Sequence, residues 1–175
     1  MTESTDWRQA KASDVTVLIL CGVCVAAIHM LFNGQYGFHR DELQTFSNAR
    51  HLAWGYVEYP PMTAWVGRLE LALFGTSLVG FRFVPALAQG VLFLVTGLCA
   101  RELGAGREAQ LMAALGAAIG GVPLYLGGFL SYTSLDFPLW IVVAWLVLRL
   151  LNSEDERWWL AIGAAIGVGM ARLLR

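Results

Sequence analysis

Lysine is nearly missing from this sequence: Lys11 is the only one, and charged residues of both signs make up just 14% of the 175. With a formal net charge of −1 there is no basic surface of the kind that holds nucleic acid, so no nucleic-acid partner is expected. The same shortage of charge excludes an acidic tail or a disordered chain. Cysteine is scarce too. Cys21, Cys24 and Cys99 all sit inside apolar runs, where no oxidised loop framework would use them. The spacing Cys21-Gly22-Val23-Cys24 matches a redox or zinc pair, but no second pair accompanies it, and it reads as two small buried residues. What the sequence has in excess is apolar residues, 57% of the chain with a mean hydropathy of +0.58, which is wrong for a soluble domain and right for a membrane protein.

A helix needs about 20 apolar residues to cross a hydrocarbon core. Stretches near 15–33, 83–100, 109–130, 136–151 and 158–174 approach that length, the last looking cut short at its two closing arginines, Arg172 and Arg175. Backbone groups in lipid must be satisfied within their own segment, and strict alternation is missing, so these are helices and not barrel strands. The expected fold is all-α: a polytopic transmembrane bundle of about five spans with an amphipathic juxtamembrane helical loop over residues 34–80. The first span is preceded by Glu3, Asp6 and Asp14 against Arg8 and Lys11 and lacks a small-residue cleavage site, so it reads as a retained anchor. Arg8 and Lys11, Arg101 and Arg107, and Arg149 and Arg157 mark three cytoplasmic faces, with residues 1–14 inside. Residues 34–80 and the 127–134 turn then lie outside. The pairs Gly116/Gly120 and Gly163/Gly167 read as close helix contacts, since no strand precedes them and no lysine follows to make a phosphate loop.

The informative stretch is the outer loop. A helix over residues 41–54 would place Leu43, Phe46, Ala49, Ala53 and Trp54 on one side and Asp41, Gln44, Thr45 and Asn48 on the other. Its polar face, opening with a carboxylate, would look into a watery cleft, while Pro60-Pro61 restarts a second helix toward Phe74. Plainer roles exist for the same residues. Asp41 fits an N-cap with Gln44 as its capping-box partner, Glu58 fits the positive end of the helix that Pro61 opens, and Asp136 fits a cap two residues before Pro138. Arg40 and Arg50 fit interfacial anchors. The arginine topology nevertheless gathers Asp41, Glu42, Glu58 and Asp136 on one face, which suggests a site. His29, His39 and His51 form no spacing with these acids that demands a cation, so no metal site is expected.

The residues 37–43 (Gly-Phe-His-Arg-Asp-Glu-Leu), 49–61 (Ala-Arg-His-Leu-Ala-Trp-Gly-Tyr-Val-Glu-Tyr-Pro-Pro), 74–77 (Phe-Gly-Thr-Ser) and 82–87 (Arg-Phe-Val-Pro-Ala-Leu) together resemble the N-terminal part of polytopic GT-C glycosyltransferases. The branch it looks like is that of the bacterial relatives of dolichyl-phosphate-mannose protein mannosyltransferases and of the lipid A aminoarabinose transferase. The resemblance implies an inverting transfer of a sugar from a polyprenyl-phosphate donor to an acceptor hydroxyl of a protein, lipid or glycan, on the outer face of a bacterial plasma membrane. It implies Asp41 as general base, Glu42 as its neighbour in an acidic pair, and Glu58 as a second acid shaping the substrate site. A carboxylate can take the acceptor's proton and a phosphate leaving group needs cations, which Arg40 or Arg50 would supply, with Asp136 on the same face. No cofactor is implied, the lipid-linked sugar being a substrate. Gln44, Thr45 and Tyr59 depart from the residues common in relatives. Relatives also continue much further, so the chain would hold the base and part of the cavity. The alternatives are a non-catalytic membrane subunit or transporter piece, for which no inverted repeat is visible, and an inactive truncated product.

Overall fold

The structure, a computed structural model, describes residues 3–57, 61–153 and 155–170, with side chains from Asp14 to Gly169. The readings placed on Glu58, Tyr59 and Pro60, on the side chains of Arg8 and Lys11, and on the closing arginines lie outside these residues. All regular structure among the described residues is helical: α1 (Glu3–Phe32), α2 (Arg40–Arg50), α3 (Pro61–Phe74), α4 (Phe83–Glu102), α5 (Arg107–Ala118), α6 (Gly121–Leu126), α7 (Tyr132–Ser153) and α8 (Trp158–Met170). A 3₁₀ turn, Gly80–Arg82, leads into α4.

Among the described residues, three stretches are long and apolar enough to cross a membrane: Asp14–Phe32, Gly80–Glu102 and Tyr132–Ser153. At 1.5 Å per residue each is about 28–35 Å long, which matches a hydrocarbon core. The expected third span is not one helix. It divides into α5, of 12 residues, and α6, of 6, at Gly120, whose backbone is extended (φ −57°, ψ 140°). Pro123 explains the break, because it has no N–H to bond the Ile119 carbonyl four residues back. α8 is apolar but, at 13 residues, about 20 Å long. α7 begins earlier than expected, at Tyr132. Its cap is Ser131, which exchanges reciprocal backbone-to-hydroxyl bonds with Ser134 at 3.0 and 3.2 Å. Pro138 is therefore inside the helix, and Asp136 caps nothing.

α4 is the axis of the bundle, packed by α1, α5 and α7. It meets α1 backbone to backbone. A Cβ on Gly90 would lie 2.6 Å from the Gly22 carbonyl oxygen, and one on Gly22 would lie 2.8 Å from that of Gly90. Only glycine permits this approach. The glycines singled out by their sequence spacing behave differently: Gly116, Gly163 and Gly167 have open space where a Cβ would be, and Gly120 meets only its own turn. A small-residue repeat marks a contact only where another helix lies opposite. Gly90→Ala is accordingly expected to force α1 and α4 apart and lower stability by about 1–3 kcal/mol. Gly116→Ala is expected to leave the melting midpoint in detergent unchanged or slightly raised.

Two polar belts close the ends of the bundle. At one end Arg149 Nη1 donates to Glu102 Oε1 at 2.9 Å, Asn152 donates to the Glu102 carbonyl at 2.7 Å, and Arg107 lies 3.8 Å from Asp14. At the other end are Asn33, the 37–42 segment and Arg82. The outward sides of α1 and α4, including Leu20, Val23, Leu31, Leu87 and Val91, remain exposed apolar surface of the kind lipid covers.

Candidate active site

The chain leaves α1 at Asn33, runs extended to His39 and turns into α2. His39, not Asp41, is the N-cap: its Nδ1 accepts from the Asp41 N–H at 3.3 Å, while its own N–H donates to Glu42 Oε2 at 3.0 Å. The capping box is therefore His39 with Glu42, two residues ahead of the Asp41/Gln44 pair that the sequence suggested. With Nδ1 accepting, the neutral ring carries its proton on Nε2, which sits 3.4 Å from the Tyr125 hydroxyl. α2 ends at Arg50, short of Trp54. The Tyr56 hydroxyl ties off the end, lying 2.9 Å from the carbonyl oxygens of both Asn48 and His51 and accepting from the Ala53 N–H at 3.0 Å.

The faces of α2 also differ from expectation. Glu42, Thr45, Asn48 and Ala49 are its buried residues, and Leu43 is exposed. Phe46 alone of the larger apolar set packs inward, edge to face with Phe38 and Phe81. Period establishes which residues share a face. It does not establish which face meets protein when the alternative neighbour is lipid.

The centre of the arrangement is Arg82, which the sequence reading placed only within a motif. Buried, it grips Glu42 with both sides of its fork, Nε to Oε1 at 2.8 Å and Nη2 to Oε2 at 2.6 Å. Its remaining N–H groups reach the carbonyl oxygens of Asn33 at 2.5 Å, Gly37 at 2.8 Å and Tyr36 at 3.3 Å. Glu42, with no exposed surface, also accepts from the Leu130 N–H at 3.3 Å. One ion pair thus joins the end of α1, the start of α2, the start of α4 and the turn before α7. Both partners are saturated with hydrogen bonds, which is the condition under which a buried pair holds together.

Asp41 is placed differently. Its side chain is 39% exposed, and the nearest side-chain nitrogens, Arg40 Nε at 3.8 Å and His39 Nδ1 at 3.9 Å, are beyond hydrogen-bond reach. Two adjacent carboxylates therefore have opposite situations: Glu42 is locked, Asp41 is available. Arg40 extends beside it, 95% exposed. Arg50 is at the far end of α2, about 15 Å along the axis, with its guanidinium 4.6 Å from the Phe46 ring centre. Asp136 accepts from Trp140 Nε1 at 3.2 Å. The structure thus brings Arg40, Asp41 and Glu42 to one point, with Arg50 apart from them.

His39 also stands at the edge of a cavity of about 650 Å³ between the end of α1 and α6. Its walls are apolar (Ile28, Phe32, Leu124, Phe129), with Asn33, His29, His39 and Arg82 as polar groups. No cluster of three or more His, Cys, Asp or Glu among the described residues could hold a metal ion.

A second acid escaped the sequence reading. Glu70 in α3 is buried, with Oε1 accepting from the Val84 N–H at 2.7 Å and Oε2 without a partner. Burial pushes its carboxyl up to about 8, against the lowering effect of the Val84 bond and with a further push from Glu42. Its only sequence signal was an acid alone in an apolar helix. A folded carboxyl that holds its proton to about pH 8, while the unfolded one releases it near 4.5, makes the native state the better proton binder between those values. Stability therefore falls as pH rises through that window and levels off above it. Glu70→Gln keeps the acceptor for Val84 and is expected to flatten the profile, gaining a few kcal/mol over the native chain at pH 8 in denaturant titrations.

The sequence model of the dolichyl-phosphate-mannose-protein mannosyltransferase family matches residues 58–172, well over half of the chain. This chain belongs to that family. Two curated relatives are similar to this mannosyltransferase-family chain. The undecaprenyl phosphate-alpha-4-amino-4-deoxy-L-arabinose arabinosyl transferase of Pseudomonas savastanoi pv. phaseolicola is 29% identical over 121 residues, 65% of this chain and 22% of the relative. The second such transferase of Pseudomonas fluorescens is 30% identical over 126 residues, with the same shares. The mannosyltransferase-family chain thus spans about a fifth of the length of the curated relatives it matches. No solved structure matches it. The family match begins at residue 58, so Arg82 and Glu70 lie within it, whereas Asp41 and Glu42 precede it.

Proposed function

We propose that this chain carries the base-bearing part of a membrane glycosyltransferase, which moves a sugar from an undecaprenyl-phosphate or similar polyprenyl-phosphate donor to an acceptor hydroxyl. The observation that carries the reading is the contrast between the two neighbouring acids. Asp41 takes the proton as the acceptor oxygen forms its bond to the anomeric carbon, the bond from that carbon to the phosphate oxygen breaks, and the polyprenyl phosphate departs with the electron pair. Attack from the side opposite the phosphate inverts the anomeric centre. Glu42 acts as a positioning residue, because a carboxylate that already accepts from Arg82, His39 and Leu130 has no lone pair free for an acceptor. Arg82 is likewise committed. The cation for the leaving phosphate is then Arg40, whose side chain is free to swing, with Arg50, Glu58 and Asp136 as outer contacts to donor or acceptor. The active face is the one away from the cytoplasm, as the arginine distribution of the loops supports. The names of the two curated relatives support an undecaprenyl-phosphate-linked sugar as donor. The test is transfer from such a donor in reconstituted membranes by the Asp41→Asn chain. Loss of transfer with insertion intact supports the reading, and turnover at the native rate overturns it.

A further inference from the structure

At the end of the bundle remote from Asp41 lies a polar cavity of about 400 Å³ that the proposed reaction does not use. Arg101, Arg149, Glu102, Gln110 and Asp14 line it, Glu102 already accepting from Arg149 Nη1 at 2.9 Å and Asp14 lying 3.8 Å from Arg107, and α5 begins at it, from Gly106, with no side chain capping the helix's first turn. The uncapped N–H groups, the Arg101 guanidinium and the unpartnered Nε of Arg149 favour an anion on that side, while the carboxylates of Asp14 and Glu102 keep the lining as a whole near neutral, which suits a zwitterion. Two buried atoms here lack partners: Arg149 Nε, a donor, and Gln110 Oε1, an acceptor. Gln110 is 3% exposed and its amide nitrogen is already bound to the Ala105 carbonyl at 2.8 Å. The unmet needs are opposite in kind. A bare phosphate would serve the arginine and leave Gln110 Oε1 unpaired in a cavity that Asp14 also lines, and a bare amine would do the reverse.

We infer that this cavity binds a phosphoethanolamine group, its phosphate toward Arg101, Arg149 and the start of α5 and its ammonium toward Gln110 Oε1 and Asp14. The site's level favours a lipid as the source. Glu102 is the terminal residue of one membrane span, Arg149 lies in the last turns of another and Asp14 immediately precedes the uncharged run of α1, so the cavity sits at the plane of phospholipid headgroups. A soluble glycerol ester of phosphoethanolamine presents the same chemistry.

The chain is embedded in an equal mixture of phosphatidylethanolamine, phosphatidylcholine and phosphatidylglycerol, and retained lipid is read by native mass spectrometry. The expected result is a roughly tenfold preference for phosphatidylethanolamine over phosphatidylcholine, the worth of one charge-assisted hydrogen bond, because trimethylammonium has no N–H to give. Equal retention of these two lipids overturns the inference, and so does a preference for phosphatidylglycerol, which marks a plain anion site. Gln110→Leu is expected to level the two lipids while Arg101→Gln lowers retention of all three; a preference that survives Gln110→Leu overturns the role of Gln110. Should Gln110→Leu fail to fold, the lipid comparison on the native chain still decides. Displacement of the lipid by free glycerophosphoethanolamine supports the site and points to the soluble source; no displacement supports the lipid.

Discussion

Arg82→Met is expected to lower the stability of the chain by about 3–5 kcal/mol, read as the melting midpoint in detergent. The size follows from what the substitution leaves behind. Glu42 would remain without exposed surface and without a cation, and the carbonyls of Asn33 and Gly37 would lose their donors. A charge stranded in that position is much more unfavourable than the pair is favourable. The double variant Arg82→Met with Glu42→Met is therefore expected to recover most of the loss, since two packed apolar side chains of similar volume often replace a buried pair without penalty. A single variant as stable as the native chain would show that the loop is held by something else.

Asp41→Asn is expected to reduce sugar transfer by about 10²–10⁴-fold, the usual contribution of a positioned general base. The melting midpoint and donor binding are expected to stay where they were. The carboxylate of Asp41 makes no hydrogen bond among the described residues, the nearest side-chain nitrogens being 3.8 and 3.9 Å away, so the neutral amide removes no bond the fold uses. Glu42→Gln provides the contrast, because it weakens the grip of Arg82 and lowers stability and transfer together. A kcat loss confined to Asp41, against a joint loss at Glu42, is the outcome expected if Asp41 is the reacting acid and Glu42 the positioning one.

The helical class was legible from composition and run length alone, because lipid forces every backbone group to pair within its own segment. The break in the third run was less so. Gly120, Gly121 and Pro123 were in view, but glycine and proline are tolerated in membrane helices, and only the lost bond to Ile119 turns them into a boundary. The candidate site was legible as far as its charged triplet, Arg40-Asp41-Glu42. The sequence presents Asp41 and Glu42 as equals, and their difference depends on Arg82, forty residues away and visible before only as part of a resemblance. The roles of Glu70 and Gln110 were hidden for the same reason: a polar residue on a largely apolar helix does not declare what lies opposite it. Asn48 and Thr45 were assigned to water because soluble helices turn polar faces outward, whereas beside a bilayer the polar face turns into the protein.

The Arg82–Glu42 pair also has a consequence in time. A ribosome makes Glu42 forty residues before its partner, roughly 2–8 s earlier at ordinary synthesis rates. Through that interval the carboxylate must remain hydrated at the membrane surface, so α2 cannot settle when it emerges. Its docking waits for the first turn of α4, and the closing bond from the Leu130 N–H waits for the turn before α7. The loop that holds Asp41 is thus assembled last to first, fastened by segments that are translated after it.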